Sequence, residues 1–507
     1  MKRLALCFIL PSLLAALPAL AKVDNVRVTT DKTVDSWDCR SIVEGLSKFG
    51  MSDEEKCIAL WEYVFRTMFH HATPQDFGPG EEGRPYTLDA IKLLDVYGFG
   101  LCTSYGVTLG ALFEAAGFPA EVVHFHQGEH TIVQVQYDGS WHAFDPMMGW
   151  YVYTKDPKKI ASLEDIKQDP ALMLDAAKDG RASTPFLPCG DEPQWLAEGA
   201  ATWESYGPGS VNQPRHTMNY SLRPGETLTR QWDNEGVYWS PRTPANSVPA
   251  HSCPLRRDQA CPQFALYWQP YVKDLGGRPV CRYWSTSRLV YEPNLESQSA
   301  SQDLVRSSNI AYKAQDGKDP AVHPAQAGQP ASVVFSVASQ YCLADVTLEV
   351  TTVRGDDDTM AVSVSTDGGT TWRALGKVED TGEKRLTQKL TSLVGGRYGY
   401  WLRFDLEAQG AATDVGLKAL KLTNIVMANR YSFPNLVAGP NKVTVRLDNP
   451  EQLAKEKVTV EYAWYEGDQV KTDRQQITKS PYEYTIVIAG DTLPKMKHLA
   501  ISVEEAK

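Results

Sequence analysis

Beyond its first 21 residues the chain has no run approaching 18 uninterrupted apolar residues, which excludes a membrane-spanning helix from that part of it. No CxxC pair and no Cys/His cluster with zinc spacing occurs, so neither a metal nor a cofactor is expected. Basic charge is in deficit: 51 Lys and Arg stand against 62 Asp and Glu, a formal net charge of -11. That balance argues against a nucleic-acid or anionic-membrane surface. Cysteine is sparse at nine residues, and no repeat of fixed period is visible.

The first 21 residues read as a secretory signal peptide. Lys2 and Arg3 give a positive start, Leu4 to Leu17 is largely apolar, and Ala19-Leu20-Ala21 precedes a cut at Lys22. A secreted or periplasmic protein with no membrane span is therefore expected. Export permits disulfides, and of the cysteines after Cys7, Cys253–Cys261 and Cys39–Cys57 are the pairings that proximity suggests. The remaining length suits roughly three or four domains of about 100–200 residues each.

Residues 22–185 read as mixed helix and strand. Ser52-Asp53-Glu54-Glu55 is a capping box, and Ile58, Trp61, Val64, Phe65 and Met68 follow at helical spacing. A second helix is predicted from Thr87 to Val96 with Gly98 as terminator, and a third from Cys102 to Gly117. Strands are predicted at 120–125, 130–137 and 141–144, the last two joined by an Asp138-Gly139 hairpin turn. Residues 186–330 are Trp- and Pro-rich and read as mainly β or irregular. Alternating strands then fill 331–428 and 429–507, expected to be two β-sandwich modules, the second immunoglobulin-like. The fold class is thus multidomain α+β.

Three residues carry chemistry. Cys102 opens a helix, whose N-terminus favours thiolate over thiol. His130 opens a strand and Asp145 closes the neighbouring one, so the hairpin sets them side by side. A nucleophile, a base and a group that orients the base make a catalytic triad. The Cys102 amide is an oxyanion donor by position, with Tyr97 and Gln75 as candidates for a second. His124, His126 and His130 together suggest a metal, but no acidic or Cys ligand lies at the usual spacing, and they read as strand residues. His142 reads as a packing or surface residue.

These pieces resemble the transglutaminase-like superfamily, a papain-related core with a Cys-His-Asp triad. The resemblance covers residues 53–150. It rests on the 52–70 helix, Gly98-Phe99-Gly100-Leu101-Cys102, Ala115-Ala116-Gly117-Phe118-Pro119, His130 at a strand start, and Trp141-His142-Ala143-Phe144-Asp145-Pro146. It implies a bacterial-type secreted enzyme with Cys102 as nucleophile, His130 as general base and acid, and Asp145 as orienter. The reaction implied is acyl transfer through a thioester, most simply hydrolysis of a peptide or amide. Protein cross-linking and a non-catalytic scaffold are the alternatives.

The β region has one further motif. Ser365 to Trp372 reads S-T-D-G-G-T-T-W, an Asp-box hairpin, which in a single copy is a feature of the fold. Asp356-Asp357-Asp358 has calcium-ligand chemistry but reads as a solvated loop. Trp195, Trp203, Trp232, Trp239, Trp268 and Trp284 crowd the middle region, where core packing is favoured over stacking on sugars. The expected partners are a protein or peptide substrate and, through the β modules, a cell-envelope polymer or polysaccharide.

Overall fold

The structure is a computed structural model. It describes residues 22–70, 73–77, 87–127, 130–155, 158–183, 192–207, 211, 214–235, 237, 239, 271–273, 279–281, 285–297, 300–301, 304–312, 320–490 and 494–506. The expected signal peptide, the Cys253–Cys261 pairing, Trp268 and Trp284 lie outside them. The chain is mixed, about 20% helix and 44% strand. No helix among the described residues is long and apolar enough to cross a membrane.

Helix α1 (Cys39–Leu46) is followed by α2 (Asp53–Thr67). Ser52 caps α2 reciprocally: its hydroxyl accepts from the Glu55 amide at 3.2 Å, and Glu55 accepts from the Ser52 amide at 2.8 Å. The helix then buries Cys57, Leu60, Trp61, Val64 and Phe65 along one stripe, with Ile58 at its flank. The next helix begins later than the sequence predicts. The Asp89 carboxylate takes the Ile91 and Lys92 amides at 3.0 and 3.2 Å, and the chain winds as a single π-helical turn, Lys92–Tyr97. Gly98 ends it at φ 69°. A Cβ at Gly98 would stand 2.6 Å from the Asn429 side chain, so this position needs glycine for both conformation and space.

Helix α3 (Cys102–Ala115) is the buried centre of this region, with Ser104 to Phe113 all enclosed. It packs on an antiparallel sheet of β1 (Ala120–Phe125), β2 (His130–Tyr137), β3 (Ser140–Phe144) and β4 (Trp203–Ser205), in the order β3-β2-β1-β4. The turn between β2 and β3 has Asp138 at φ 49° and Gly139 at φ 75°, the geometry of a two-residue hairpin. Alternation divides the sheet between two cores. Val122, Val133 and Val135 join the main one; Val123, Phe125 and Ile132 join a smaller one with Trp150 and Leu196.

The β region follows other lines than the sequence suggests. A ten-stranded sheet includes strands 226–231, 285–291, 415–428, 456–466 and 495–505, so it runs across the boundary expected at 428/429. Strand 495–505 pairs with 226–231, and that strand with 285–291. A five-stranded sheet (306–308, 331–338, 399–407, 359–365, 373–377) shares its core: Tyr400, Leu402, Phe404 and Leu406 are buried with Leu417, Leu420 and Leu422. The start of the chain belongs here too, since Arg27–Thr30 pairs with Val443–Arg446.

The two regions are knit together at a polar seam. Asn429 donates its side-chain amide to the Leu94 and Thr67 carbonyls at 2.6 and 3.0 Å. One oxygen of buried Asp76 accepts from Tyr398 at 2.7 Å, Lys92 at 2.9 Å and Tyr97 at 3.0 Å. Beside it, the Phe77 amide donates to the Gly396 carbonyl, and Trp239 donates to the Gln75 carbonyl.

Candidate active site

Cys102 is the first residue of α3, and its N-cap is Leu101, which offers no side-chain bond to the first-turn amides. Those amides point from the positive end of a 14-residue helix at the half-buried thiol. The preceding strand pair, Phe69–His70 with Phe99–Gly100, fixes the approach to Cys102.

The register Val133↔Phe144 brings Asp145 to the end of the sheet where β2 begins with His130. His130 Nε2 and Asp145 Oδ2 are 2.6 Å apart, and the residues are 2% and 0% exposed. The other Asp145 oxygen accepts from the Met147 and Met148 amides at 2.9 and 2.8 Å, while its carbonyl accepts from Trp61 Nε1. The carboxylate is thus held rigidly. With Nε2 engaged by Asp145, Nδ1 is the ring nitrogen left to face the Cys102 thiol.

Burial is the largest influence on both groups, and in both it is overcome. At Cys102 it pushes the thiol up, but the bond and charge of His130 and the bonds from Thr131 together bring it below its ordinary value. At His130 burial disfavours the cation, yet the charge and bond of Asp145, with the Cys102 bond, raise the imidazole to about 9. The arrangement favours a thiolate–imidazolium pair resting on a buried carboxylate.

Three neighbours complete the site. Thr131 meets the Thr103 hydroxyl at 3.3 Å and His124 Nδ1 at 3.4 Å. The rings of Trp195 and Phe125 lie 5.3 and 5.8 Å from that of His130. Trp195 comes from the helix Glu192–Ala201, and the sequence reading had assigned it to core packing. No local pattern marks it, because only the tertiary fold brings it back to β2.

Other expectations fall elsewhere. The Tyr97 hydroxyl is committed to Asp76, which removes it as an oxyanion donor. Cys39 and Cys57 are buried and free, so the proposed bridge between them is absent; each helix turns its cysteine into the core. His126 pairs with Glu204 at 2.6 Å, and His142 is buried between the Ile160 and Tyr137 carbonyls. The Asp-box forms as read. The Thr371 hydroxyl and amide, with Ser365, hold Asp367 down to about 2, and Trp372 donates to the Gly369 carbonyl at 3.1 Å. Asp358 spends both oxygens on the Gly355 and Gln409 amides, while Asp356 and Asp357 are exposed. Of the tryptophans, Trp232 is buried in the main core.

No family model and no curated protein matches the chain. Among solved structures it is similar to a Bacteroides fragilis protein described as a beta-galactosidase, at 9% identity over 36% of this chain and 29% of that one, with a TM-score of 0.14. A second is the glycoside hydrolase domain of Endo-D from Streptococcus pneumoniae R6, at 11% identity over 44% and 37%, TM-score 0.13. A third is dimeric latent PorU from Porphyromonas gingivalis, at 12% identity over 44% and 22%, TM-score 0.16. The chain therefore spans well under half the length of each of these structures, and likeness at this level identifies neither fold nor activity.

Proposed function

We propose that this protein is a secreted cysteine-dependent acyl-transfer enzyme of the transglutaminase-like type, hydrolysing a peptide or amide bond through a thioester at Cys102. The observation that carries the reading is the buried 2.6 Å His130–Asp145 bond set against a thiol at an uncapped helix start. In the first half-reaction Cys102 Sγ attacks the carbonyl carbon, and the oxyanion forms beside the Cys102 amide. The C–N bond breaks as the imidazolium gives its Nδ1 proton to the leaving amine. Neutral His130 then takes a proton from water, whose oxygen attacks the thioester and expels the thiolate. Asp145 stays ionised throughout and holds the ring. On this reading residues 53–150 are the papain-related core. The sheets that share a face in the β region suit β-sandwich modules that dock the enzyme on a polymer.

Incubation with a glutamine-containing peptide and a labelled primary amine tests the chemistry. Ammonia release without label uptake is the expected result, and label uptake would replace hydrolysis with cross-linking. Iodoacetamide tests the site itself. If Cys102 reacts no faster at neutral pH than an ordinary free thiol, the enzyme reading fails and a scaffold role takes its place.

A further inference from the structure

A second polar concavity lies at the seam, apart from Cys102. It is a cavity of about 40 Å³ walled by the segment from Arg27 to Trp37, Asp95 of the π-helical turn, Arg230, Tyr341 and residues 432–434. Two polar atoms of its wall, Arg27 Nε and Asp95 Oδ2, are buried without a partner among the described residues, and Arg230 beside them has no counterion there. Arg230 is 7% exposed, and its Nε donates to the Tyr341 hydroxyl at 3.0 Å. Among the described residues that is its side chain's one hydrogen bond, and it forms no ion pair. Asp95 is 3% exposed; Oδ1 accepts from Ser36 at 2.6 Å and Oδ2 has no partner. Arg27 Nε is buried without a partner, while its Nη2 is engaged by Asp35 and Ser41.

Buried polar groups are nearly always satisfied, and two unmet atoms beside an unpaired guanidinium on one small wall need a cause. An internal Arg230–Asp95 ion pair would supply it, but the two are not in contact. Nor do the tyrosines around Arg230 compensate its charge: Tyr220 and Tyr462 spend their hydroxyls on the Val26 and Pro434 carbonyls. Charge points the same way. Arg27 is neutralised by Asp35. Burial, opposed by Ser36, Ser432 and Arg230, raises the Asp95 carboxyl to about 7, which leaves Arg230 a cation without a counterion over the acidic range.

We propose that this cavity binds a small oxyanion, a carboxylate- or phosphate-type group whose oxygens take the terminal nitrogens of Arg230 between Arg27 and Asp95. A guanidinium presents two parallel donors that match such a group and no neutral one as well. The volume is that of about three waters, enough for one such head group. Protonated Asp95 adds a donor. The bound group would join strand 27–30, the turn that leads to Cys102, and the ten-stranded sheet.

The full-length protein is dialysed free of oxyanions and titrated with inorganic phosphate, sulfate or acetate at constant ionic strength. Calorimetry and thermal unfolding are the readouts. A saturable one-to-one isotherm with a rising Tm is expected for at least one of them, and which one separates phosphate-type from carboxylate ligands. Arg230→Met should weaken that binding by about tenfold or more, and Arg230→Lys less, since Lys keeps charge but not the fork. Should Arg230→Met fail to fold, the wild-type protein crystallised with selenate decides: anomalous density beside Arg230 supports the proposal. Ordered water alone in the cavity, or a Tm rise without saturation, overturns it.

Discussion

Cys102 is a half-buried thiol and Cys342 a buried one, each near a group that can share a proton, yet they are driven in opposite directions. Cys342 is wholly buried near Asp76 and Tyr97. Burial first and Asp76 second push its thiol far above the ordinary range, and neither the Tyr97 bond nor Lys92 makes up the difference. At Cys102 burial pushes the same way, but His130, kept positive by Asp145, more than offsets it. The contrast teaches that exposure alone does not select the reactive cysteine. A carboxylate one residue further off does, by keeping an imidazole positive where burial would neutralise it.

The largest effect that tests this contrast is expected from His130→Ala. Amide turnover should fall roughly 10²–10⁴-fold. Per-cysteine alkylation rates by mass spectrometry should show Cys102 reduced to the reactivity of Cys342. If Cys102 keeps its rate, the cation is not what activates it. Asp145→Asn should come next, with alkylation at neutral pH slowed by about tenfold or more as His130 loses the charge that raises it.

The same pair makes stability depend on pH in a stated direction. His130 is raised in the folded state, so its contribution is complete below the unfolded value near 6.5. It is lost as pH rises through about 9. Denaturant midpoints of the wild type should fall across that window, and those of Asp145→Asn should not. Gly98→Ala should destabilise by about 2–3 kcal/mol in thermal melts, through a positive φ and the Asn429 contact. The smallest effect is expected at the other thiol's end. Tyr398→Phe removes one of three donors to Asp76, about 1 kcal/mol, and should leave Cys102 alkylation unchanged. A fall in that rate would mean that the seam and the site are coupled.

What the sequence disclosed was local. Asp138-Gly139 is a turn signal whose backbone needs nothing from elsewhere, so the hairpin that sets Asp145 beside His130 could be read from adjacent residues. Ser52 and Glu55 announced their helix for the same reason. Partners at long range were not disclosed. Alternation in 456–466 and 495–505 marks strands but does not say that the second also borders 226–231. Likewise Trp195, Asp76 and Arg230 carry no pattern that names what they will face. The transglutaminase-like resemblance stopped near residue 150, and past it the residues around the seam had no template.

The pairing of Arg27–Thr30 with Val443–Arg446, and the Asp24 amide's bond to Asn449 across 425 residues, have a consequence for biogenesis. Strand 27–30 cannot find its partner until more than 400 further residues have emerged. Strand 439–446 thus acts as a clasp on 27–30, and a chain cut short before residue 439 would leave 27–30 unfastened. Loss of strand 439–446 should thus be felt at 27–30.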